Sequence, residues 1–377
     1  MEVYLDHYKK NNIIPVSQDI SNINNHFQRR TALYMQCGIP PNFIENKKVL
    51  EIGPGTGDNS VFTYSLKPSK YDFVDGNPAS IQSTRKKLLT YYKDLSICQF
   101  NECDFFEYQQ KGTYDLVLCE GVIPHQKQPK RFLNNIIKFV KSGGILLITC
   151  VDHVSFLSEL LRHLAGIMLI KNHNLPINQK IDIVRDFFTP HLHSLTGMSR
   201  LIDDWIYDTI LLPFSKTPLL SIEEAIRLLA SEFEVYGLSP NFIVDWRWYK
   251  KIPVDNMFNK IVIDSYQKNL HNLLDYRYVF DPVEKEINHN ILKISRIIFN
   301  IGISLNVPNN KKLSLVLELL VELNKTVKDI SIQTFYSIQD FIEALQTFLS
   351  TNYFPQKLNA FPSWFGRGQQ YISFIKK

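Results

Sequence analysis

The chain has 377 residues and a mass of 44.0 kDa, which is more than one hydrophobic core usually organises. Apolar residues make up 45% and charged residues 21%, so the composition excludes disordered and collagen-like chains. The 42 Lys and Arg against 37 Asp and Glu give a net charge of +5 without a basic block. This weak, dispersed charge does not indicate a nucleic-acid-binding protein.

Neither a membrane span nor a secretory signal is predicted. The most apolar stretch, residues 154–170, is interrupted by Glu159, Arg162 and His163, and the first ten residues are strongly polar. The five cysteines are odd in number and form no C-x-x-C pair. We therefore expect a cytoplasmic protein without a bound metal.

Short β-branched or aromatic runs alternate with helical stretches between residues 48 and 150. This alternation is typical of strand-helix units and predicts an α/β fold with a parallel sheet. Strands are predicted at 48–53, 71–75, 96–100, 114–119, 144–150, 233–237 and 371–375. Asn77 and Pro78 predict the cap and first turn of a helix that continues through 81–95. Further helices are predicted at 129–141, 154–170, 178–189, 200–211, from Ser221 onward, and in much of 256–350.

A glycine-rich string follows the first predicted strand. Gly53, Gly55 and Gly57 would let the backbone approach a nucleoside and an amino-acid group, which a β-carbon would block. A dinucleotide site would place a glycine at position 58, where this chain has Asp58. The carboxylate of Glu51 suits a cationic ligand instead. The alternative is a tight strand-helix turn without a ligand.

One carboxylate ends the second predicted strand, and another follows the third. Asp75, followed by Gly76 and Asn77, could accept hydrogen bonds from ribose hydroxyls, although an aspartate there is often only a helix cap. Asp104 is placed to meet an adenine amino group, with Phe105 against the ring. The alternative for Asp104 is a solvated turn carboxylate.

Together these motifs resemble the class I S-adenosylmethionine-dependent methyltransferases. The resemblance rests on Glu51-x-Gly53-x-Gly55-x-Gly57, Asp75, Asp104 and the strand end at 115–121, and it covers residues 45–152. It implies a Rossmann-like, mostly parallel seven-stranded sheet of order 3-2-1-4-5-7-6, with an antiparallel seventh strand and large helical insertions.

The same resemblance implies a role for each motif and S-adenosyl-L-methionine as the cofactor. Glu51 and the glycines would hold the methionine end, and Asp75 would hold the ribose. Asp104 and Phe105 would contact the adenine, and Glu120 with Gly121 would line the sulfonium side.

Placing the last two strands in this fold divides the chain into six segments. They are an N-terminal helical segment at 1–47, the S-adenosylmethionine-binding core at 48–152, a helical cap at 153–230, the sixth strand with an acceptor-side loop at 231–250, a helical insertion at 251–360, and the final strand at 361–377.

Methyl transfer to a hydroxyl needs a proton acceptor, and histidine suits that role near neutral pH. The candidates are His191, favoured slightly for its polar surroundings, then His125 and Asp204. His125 could instead pack on the next helix. His191 and His193 could lie on an extended segment that exposes both rings.

The acceptor is the least determined part of the prediction. No Asn/Asp-Pro-Pro-Tyr/Phe motif follows the fourth strand, so a nucleic-acid acceptor is unlikely. Carboxylates beside Trp205 and Trp246 suit a sugar-like or nucleoside acceptor, although both rings could instead form a buried hinge. We expect O-methylation of a small, polar, sugar-like molecule. The alternatives are methylation of RNA or protein, with the helical insertion as docking surface, and a catalytically silent binding protein.

A probable helix with His26, Arg29 and Arg30 precedes the first strand. Such charged side chains most often form a solvated helix face, and we expect that arrangement here.

Overall fold

The computed structural model describes Tyr8, Ile14 and residues 16–109, 112–212, 219–243, 246–251 and 258–377, apart from the side chain of His125. The chain forms two compact units. The first contains Met1–Val151, Thr217–Tyr266 and Gln369–Lys377, and the second contains Asp152–Lys216 and Gln267–Gly368. The division into six segments stays a prediction.

A seven-stranded mixed sheet forms the centre of the first unit. In chain order the strands are β1 (Lys48–Ile52), β2 (Lys70–Asp75), β3 (Cys98–Glu102), β4 (Tyr114–Cys119), β5 (Val140–Cys150), β6 (Phe233–Ser239) and β7 (Gln370–Lys376). Their spatial order is β3-β2-β1-β4-β5-β7-β6, and β7 is antiparallel to both β5 and β6. The predicted fold class is therefore confirmed.

Twelve α-helices accompany the strands among the described residues. They are α1 (Ile23–Gln36), α2 (Asp58–Ser65), α3 (Pro78–Tyr91), α4 (Pro129–Ile136), α5 (Leu157–Leu169), α6 (Ile177–His193), α7 (Ile202–Trp205), α8 (Ile222–Leu229), α9 (Phe258–Asn269), α10 (Lys285–Gly302), α11 (Asn310–Ile330) and α12 (Ile332–Thr351).

Local sequence explains where the helices begin. Asn77 accepts a hydrogen bond from the Ala79 amide, and Pro78 occupies the first helical position, so the predicted cap and first turn of α3 are confirmed. Ser221 and Glu224 form the predicted capping box of α8.

The register of the parallel strands brings the loops that follow them to one edge. Ile52 of β1 pairs with Val74 of β2, and Glu51 pairs with Leu118 of β4. Because ligands of open α/β sheets bind beyond the carboxyl ends of the strands, this edge is where a site is expected. Buried side chains of the strands themselves, such as Val49, Phe73, Leu116 and Leu147, belong to one hydrophobic cluster in the core of the first unit.

The second unit is helical, with α5, α6, α7 and α10 to α12. The fully buried Arg162 of α5 donates to the carbonyls of Ser158, Pro362 and Trp364, and its guanidinium lies 3.5 Å from the centre of the Phe365 ring. These bonds attach the turn at 361–365 to α5. Within the described ranges, no helix is long and apolar enough to cross a membrane.

Candidate cofactor-binding site

The glycine loop between β1 and α2 has the backbone that its sequence predicts. Gly53, Gly55 and Gly57 have φ angles of 71°, 59° and 80°, in the left-handed region that side chains disfavour. A β-carbon at Gly57 would lie 2.7 Å from the Thr84 Cα, and one at Gly53 would lie 2.3 Å from the Val122 Cγ2. The loop therefore fits closely against α3 on one side and the β4 loop on the other.

Asp58, at the first position of α2, ties three segments to this loop. Its buried carboxylate accepts hydrogen bonds from the Thr56 hydroxyl at 2.6 Å and the Gln18 amide at 2.9 Å. The Lys87 ammonium of α3 lies 2.7 Å from the other oxygen. The His26 ring of α1 lies 2.9 Å from the Asp58 carbonyl. The aspartate that distinguishes the string from a dinucleotide site is thus a structural residue.

Glu51 lies on β1, directly below the loop. Its carboxylate accepts hydrogen bonds from the Ser60 hydroxyl at 2.8 Å and from the Tyr71 hydroxyl. Burial raises the pKa of Glu51 to about 7, because the two hydrogen bonds only partly offset the loss of water around the charge. The predicted contact of Glu51 with a cationic ligand stays a prediction.

The turn after β2 brings Asp75, Gly76 and Asn77 to the same edge. Asp75 Oδ1 accepts a hydrogen bond from the Asn77 amide at 2.8 Å, and the Asp75 side chain is half-buried. Asn77 is buried, and its Nδ2 has no hydrogen-bond partner among the described residues. A buried amide donor without a partner is costly unless a ligand or water completes it.

The turn after β3 places Asp104 and Phe105 differently from one another. Asp104 is exposed and accepts from the Phe106 amide at 2.9 Å, so it also caps the turn. Phe105 is buried, with its ring centre 5.0 Å from that of Phe132 and 5.7 Å from that of Phe139. Phe105 therefore anchors the turn that presents Asp104.

The loop after β4 holds an ion pair that the sequence did not suggest. Glu120 accepts two hydrogen bonds from the Arg30 guanidinium of α1, at 2.6 and 2.8 Å. Burial opposes the charge of Arg30, but the Glu120 carboxylate outweighs it and holds the pKa of Arg30 well above its usual value. Next to it, Gly121 has a φ of 74°, and its amide donates to the Thr149 hydroxyl at 2.7 Å.

The expectation of a solvated face on α1 is wrong for His26 and Arg30, which are both buried. Their partners, the Asp58 carbonyl and the Glu120 carboxylate, come from distant parts of the chain. The sequence contained one signal for this burial. His26, Arg30 and Tyr34 follow one another at intervals of four residues and therefore share a helix face, which is the buried one.

His191 and Asp204, two of the predicted proton acceptors, belong to the second unit. His191 is 1% exposed, and its Nδ1 accepts from the Arg162 Nε at 3.2 Å. Burial, and then the charge of Arg162, hold the pKa of His191 well below its usual value. The extended alternative for this segment is wrong, because His191 and His193 end helix α6. Asp204 is half-buried, and burial raises its pKa.

His125, the third predicted proton acceptor, ends the short helical turn at Ile123–His125 that follows Gly121. Its backbone therefore lies in the loop after β4, in the same unit as the glycine loop. The position of its side chain lies outside the described part of the chain.

Among the described residues, the cysteines and acidic residues form no recognisable metal centre. In the ranges that the structure describes, no group of three or more His, Cys, Asp or Glu side chains could hold an ion. All five cysteines are free, and burial raises the pKa of Cys98 to about 12.

Residues 50–146 match a family model described as "Methyltransferase domain". The match covers the strands and loops described above, on a sheet of the order expected for this family. This part of the chain is a class I S-adenosylmethionine-dependent methyltransferase domain.

Two curated relatives are similar over the same region. The lovastatin diketide synthase mokB of Monascus pilosus is 32% identical over 111 residues, and lovF of Aspergillus terreus is 31% identical over 108 residues. Each alignment covers 27% of this chain and 4% of the relative. The chain therefore spans only a small part of the length of the curated relatives that it matches.

Two solved structures are also similar to parts of this chain. The N-methyltransferase NodS from Bradyrhizobium japonicum WM9, in complex with S-adenosyl-L-homocysteine, is 16% identical, with a TM-score of 0.31 over 39% of this chain and 74% of NodS. PKMT2 from Rickettsia typhi is 12% identical, with a TM-score of 0.42 over 83% of this chain and 73% of PKMT2.

The methyltransferase domain has features that fit this cofactor. The glycine loop leaves no room for β-carbons, and the buried Asn77 Nδ2 lacks a partner in the described structure. The crowding at the glycines comes from Val122 and Thr84 of the protein itself, whereas the Asn77 Nδ2 is a donor that a ligand or water can complete.

The raised pKa of Glu51 predicts how the stability of the cofactor-free protein changes with pH. Its pKa of about 7 lies above the usual value of 4.5, so the folded state holds a proton that the unfolded state releases. This contribution to stability is present below pH 4.5 and is lost as the pH rises to about 7. As the pH rises from 4.5 to 8, the free energy of unfolding of Glu51→Gln should therefore increase by about 3 kcal/mol relative to that of the wild type.

Chemical denaturation at several pH values measures this difference. Gln retains a carbonyl that can accept from Ser60 and Tyr71, so the variant should still fold. Glu45→Gln, on an exposed side chain of the same unit, is the control and should leave the pH dependence unchanged. If the difference in the free energy of unfolding between Glu51→Gln and the wild type does not change with pH, Glu51 is not a buried, protonated residue.

Proposed function

We propose that this chain transfers a methyl group from S-adenosylmethionine to a small or medium polar acceptor, at an oxygen of a sugar-like molecule. The observation that carries the cofactor part is the glycine loop, in which Gly53, Gly55 and Gly57 all have a left-handed backbone directly after β1. When bound, S-adenosylmethionine supplies a methyl group that its sulfonium already activates, so the protein has mainly to position the acceptor.

The loops at the carboxyl edge divide the binding of the cofactor among them. The loop from Gly53 through Gly55 to Gly57, supported by Glu51, accommodates the methionine end. The turn formed by Asp75, Gly76 and Asn77 binds the ribose through carboxylate and amide groups.

The other two loops complete the proposed site. Asp104 binds the adenine amino group, and the buried Phe105 holds its turn in place. Glu120 and Gly121 line the sulfonium side, where the bidentate Arg30 fixes the Glu120 carboxylate.

The acceptor class is supported by what surrounds these motifs in the sequence. The net charge of +5 is spread along the chain, and the Pro-Pro motif of amino-methylating nucleic-acid enzymes is absent after β4. A small polar acceptor needs neither a basic groove nor that motif. RNA or protein as the acceptor is the second candidate, and a silent binding protein is the third.

Proton removal from a hydroxyl acceptor is best assigned to His125. The His191 ring is buried against Arg162, Phe187 and Phe361, which favours a packing role. His125 follows Glu120 and Gly121 on the loop that lines the sulfonium side. Asp204 stays a further candidate, and burial raises the pKa of its carboxyl.

Cofactor binding is the first test of the proposal. S-adenosylhomocysteine should bind in the micromolar range, which is about −8 kcal/mol, in isothermal titration calorimetry. Asp75→Ala should weaken binding by about 1.5 to 3 kcal/mol, because a charged hydrogen-bond acceptor is lost.

Asp94→Ala is a matched control for Asp75→Ala. Asp94 also accepts from the amide two residues ahead, at 2.8 Å, but it is exposed on a different turn. It should leave affinity unchanged. Absence of heat and of a thermal shift at millimolar ligand would refute the cofactor assignment.

The acceptor class is tested by transfer of labelled methyl from S-adenosylmethionine into fractionated cell extract. We expect label in the small-molecule fraction and little change when salt rises, because few phosphate contacts are involved. Label in RNA that falls steeply with salt, or label in protein, would contradict the small-acceptor proposal while leaving the cofactor assignment intact.

The proton acceptor is tested by single substitutions. His125→Ala should lower turnover by about 100-fold with unchanged cofactor affinity, since the cofactor loops use other residues. His191→Ala should instead lower stability by about 3 kcal/mol, because it opens a cavity among packed rings. His193→Ala, on an exposed side chain, is the control. Near-normal turnover of His125→Ala would exclude this assignment.

A further inference from the structure

An exposed aromatic and basic segment lies beyond β6 in the first unit, at residues 246–251, with the sequence Trp-Arg-Trp-Tyr-Lys-Lys. All six residues are exposed, and Trp246, Trp248 and Tyr249 are 92%, 59% and 68% exposed. We call residues 246–251 the WRWYKK segment. None of the proposed cofactor-binding or catalytic residues belongs to it.

The exposure of these rings is selective. Of the four tryptophans in the chain, Trp205 and Trp364 are buried in the second unit, and Trp246 and Trp248 belong to the WRWYKK segment. The buried-hinge alternative is therefore wrong for Trp246, although it agrees with the burial of Trp205. Adjacent exposed aromatic rings leave apolar area in water, which marks interaction surfaces more often than chance.

The segment follows a residue that is held in place. Phe242 packs on Tyr266, with ring centres 5.8 Å apart, and its carbonyl accepts from the Ser265 hydroxyl at 2.6 Å. Phe242, four residues before Trp246, is therefore fixed on the first unit.

Positive charge accompanies the rings. Arg247, Lys250 and Lys251 carry three formal positive charges, and none of the six residues is acidic. The Lys250 ammonium lies 5.1 Å from the Trp248 ring centre and 5.8 Å from that of Tyr249. The segment thus complements a surface that is negatively charged outside and apolar just below it.

Two kinds of partner have those properties: an anionic membrane surface and a single-stranded nucleic acid. Stacked bases need open ring faces in succession along a basic groove. Here Lys250 covers one face of two rings, and Trp248 and Tyr249 meet edge to face. Such rings, with lysines beside them, suit the interface between lipid head groups and acyl chains.

We propose that the WRWYKK segment docks the protein on an anionic membrane surface, with Trp246 and Trp248 inserted at head-group depth and the cationic residues on the lipid charges. Such docking is peripheral, since the described helices include no membrane span. It does not depend on the proposed methyl transfer.

Vesicle binding tests this proposal. The full chain should co-sediment with phosphatidylcholine vesicles that contain about 30 mol% phosphatidylserine, and about tenfold less with phosphatidylcholine alone. Raising NaCl from about 0.05 to 0.5 M should release it, because salt screens the lysines. Brominated lipids should quench only the fluorescence of Trp246 and Trp248. The double variant Trp246→Phe with Trp248→Phe lacks these two tryptophans, so its remaining fluorescence should not be quenched.

The variants separate the aromatic contribution from the charge contribution. Trp246→Ala with Trp248→Ala, and Lys250→Glu with Lys251→Glu, should each lower vesicle affinity by about tenfold or more without changing the thermal midpoint. Tyr336→Ala, and Lys86→Glu with Lys93→Glu, change exposed residues elsewhere and should bind vesicles normally.

Three results would overturn the proposal. The first is equal binding to neutral and anionic vesicles, or no binding to either. The second is tight binding of a single-stranded RNA homopolymer that the tryptophan variants lose, without vesicle binding. The third is a dimer in solution that only the tryptophan variants dissociate.

Discussion

The buried carboxylate of Asp58 is the contact on which the candidate site depends. One side chain accepts from the loop hydroxyl of Thr56 and the amide of Gln18, and it pairs with Lys87 of α3. A buried charge is costly unless several donors surround it, so the three segments gain stability only when all reach it together. The left-handed backbone from Gly53 to Gly57 is therefore held from three sides.

The structure also explains how the first helix joins this arrangement. The same face of α1 places His26 on the Asp58 carbonyl and Arg30 on Glu120. One helix thus connects the loop after β1 with the loop after β4. Because Arg30 and Glu120 are both largely removed from water, replacement of either alone would leave an uncompensated charge beside the proposed sulfonium side.

Local sequence patterns predicted most of the first unit, and they failed where the determining contact is distant. The strand-helix alternation predicted a parallel sheet, and the resemblance to the methyltransferase family supplied the strand order that the structure confirms. The only signal for the burial of Arg30 was the helix face that it shares with His26 and Tyr34, and the sequence contained no signal for the exposure of Trp246. An arginine is buried only when a partner such as Glu120 reaches it, and a tryptophan is exposed only when nothing covers it. Amino-acid composition predicts neither the partner of an arginine nor the exposure of a tryptophan.

The position of β7 between β5 and β6 has a consequence for synthesis on the ribosome. All the helices from α9 to α12 must emerge before β7 can pair with its two neighbours. Until then β5, with six successive residues that will pair with β7, presents an open apolar edge. Open edges of this kind recruit other strands, so the nascent chain passes through an interval in which chaperones or covering helices must protect it.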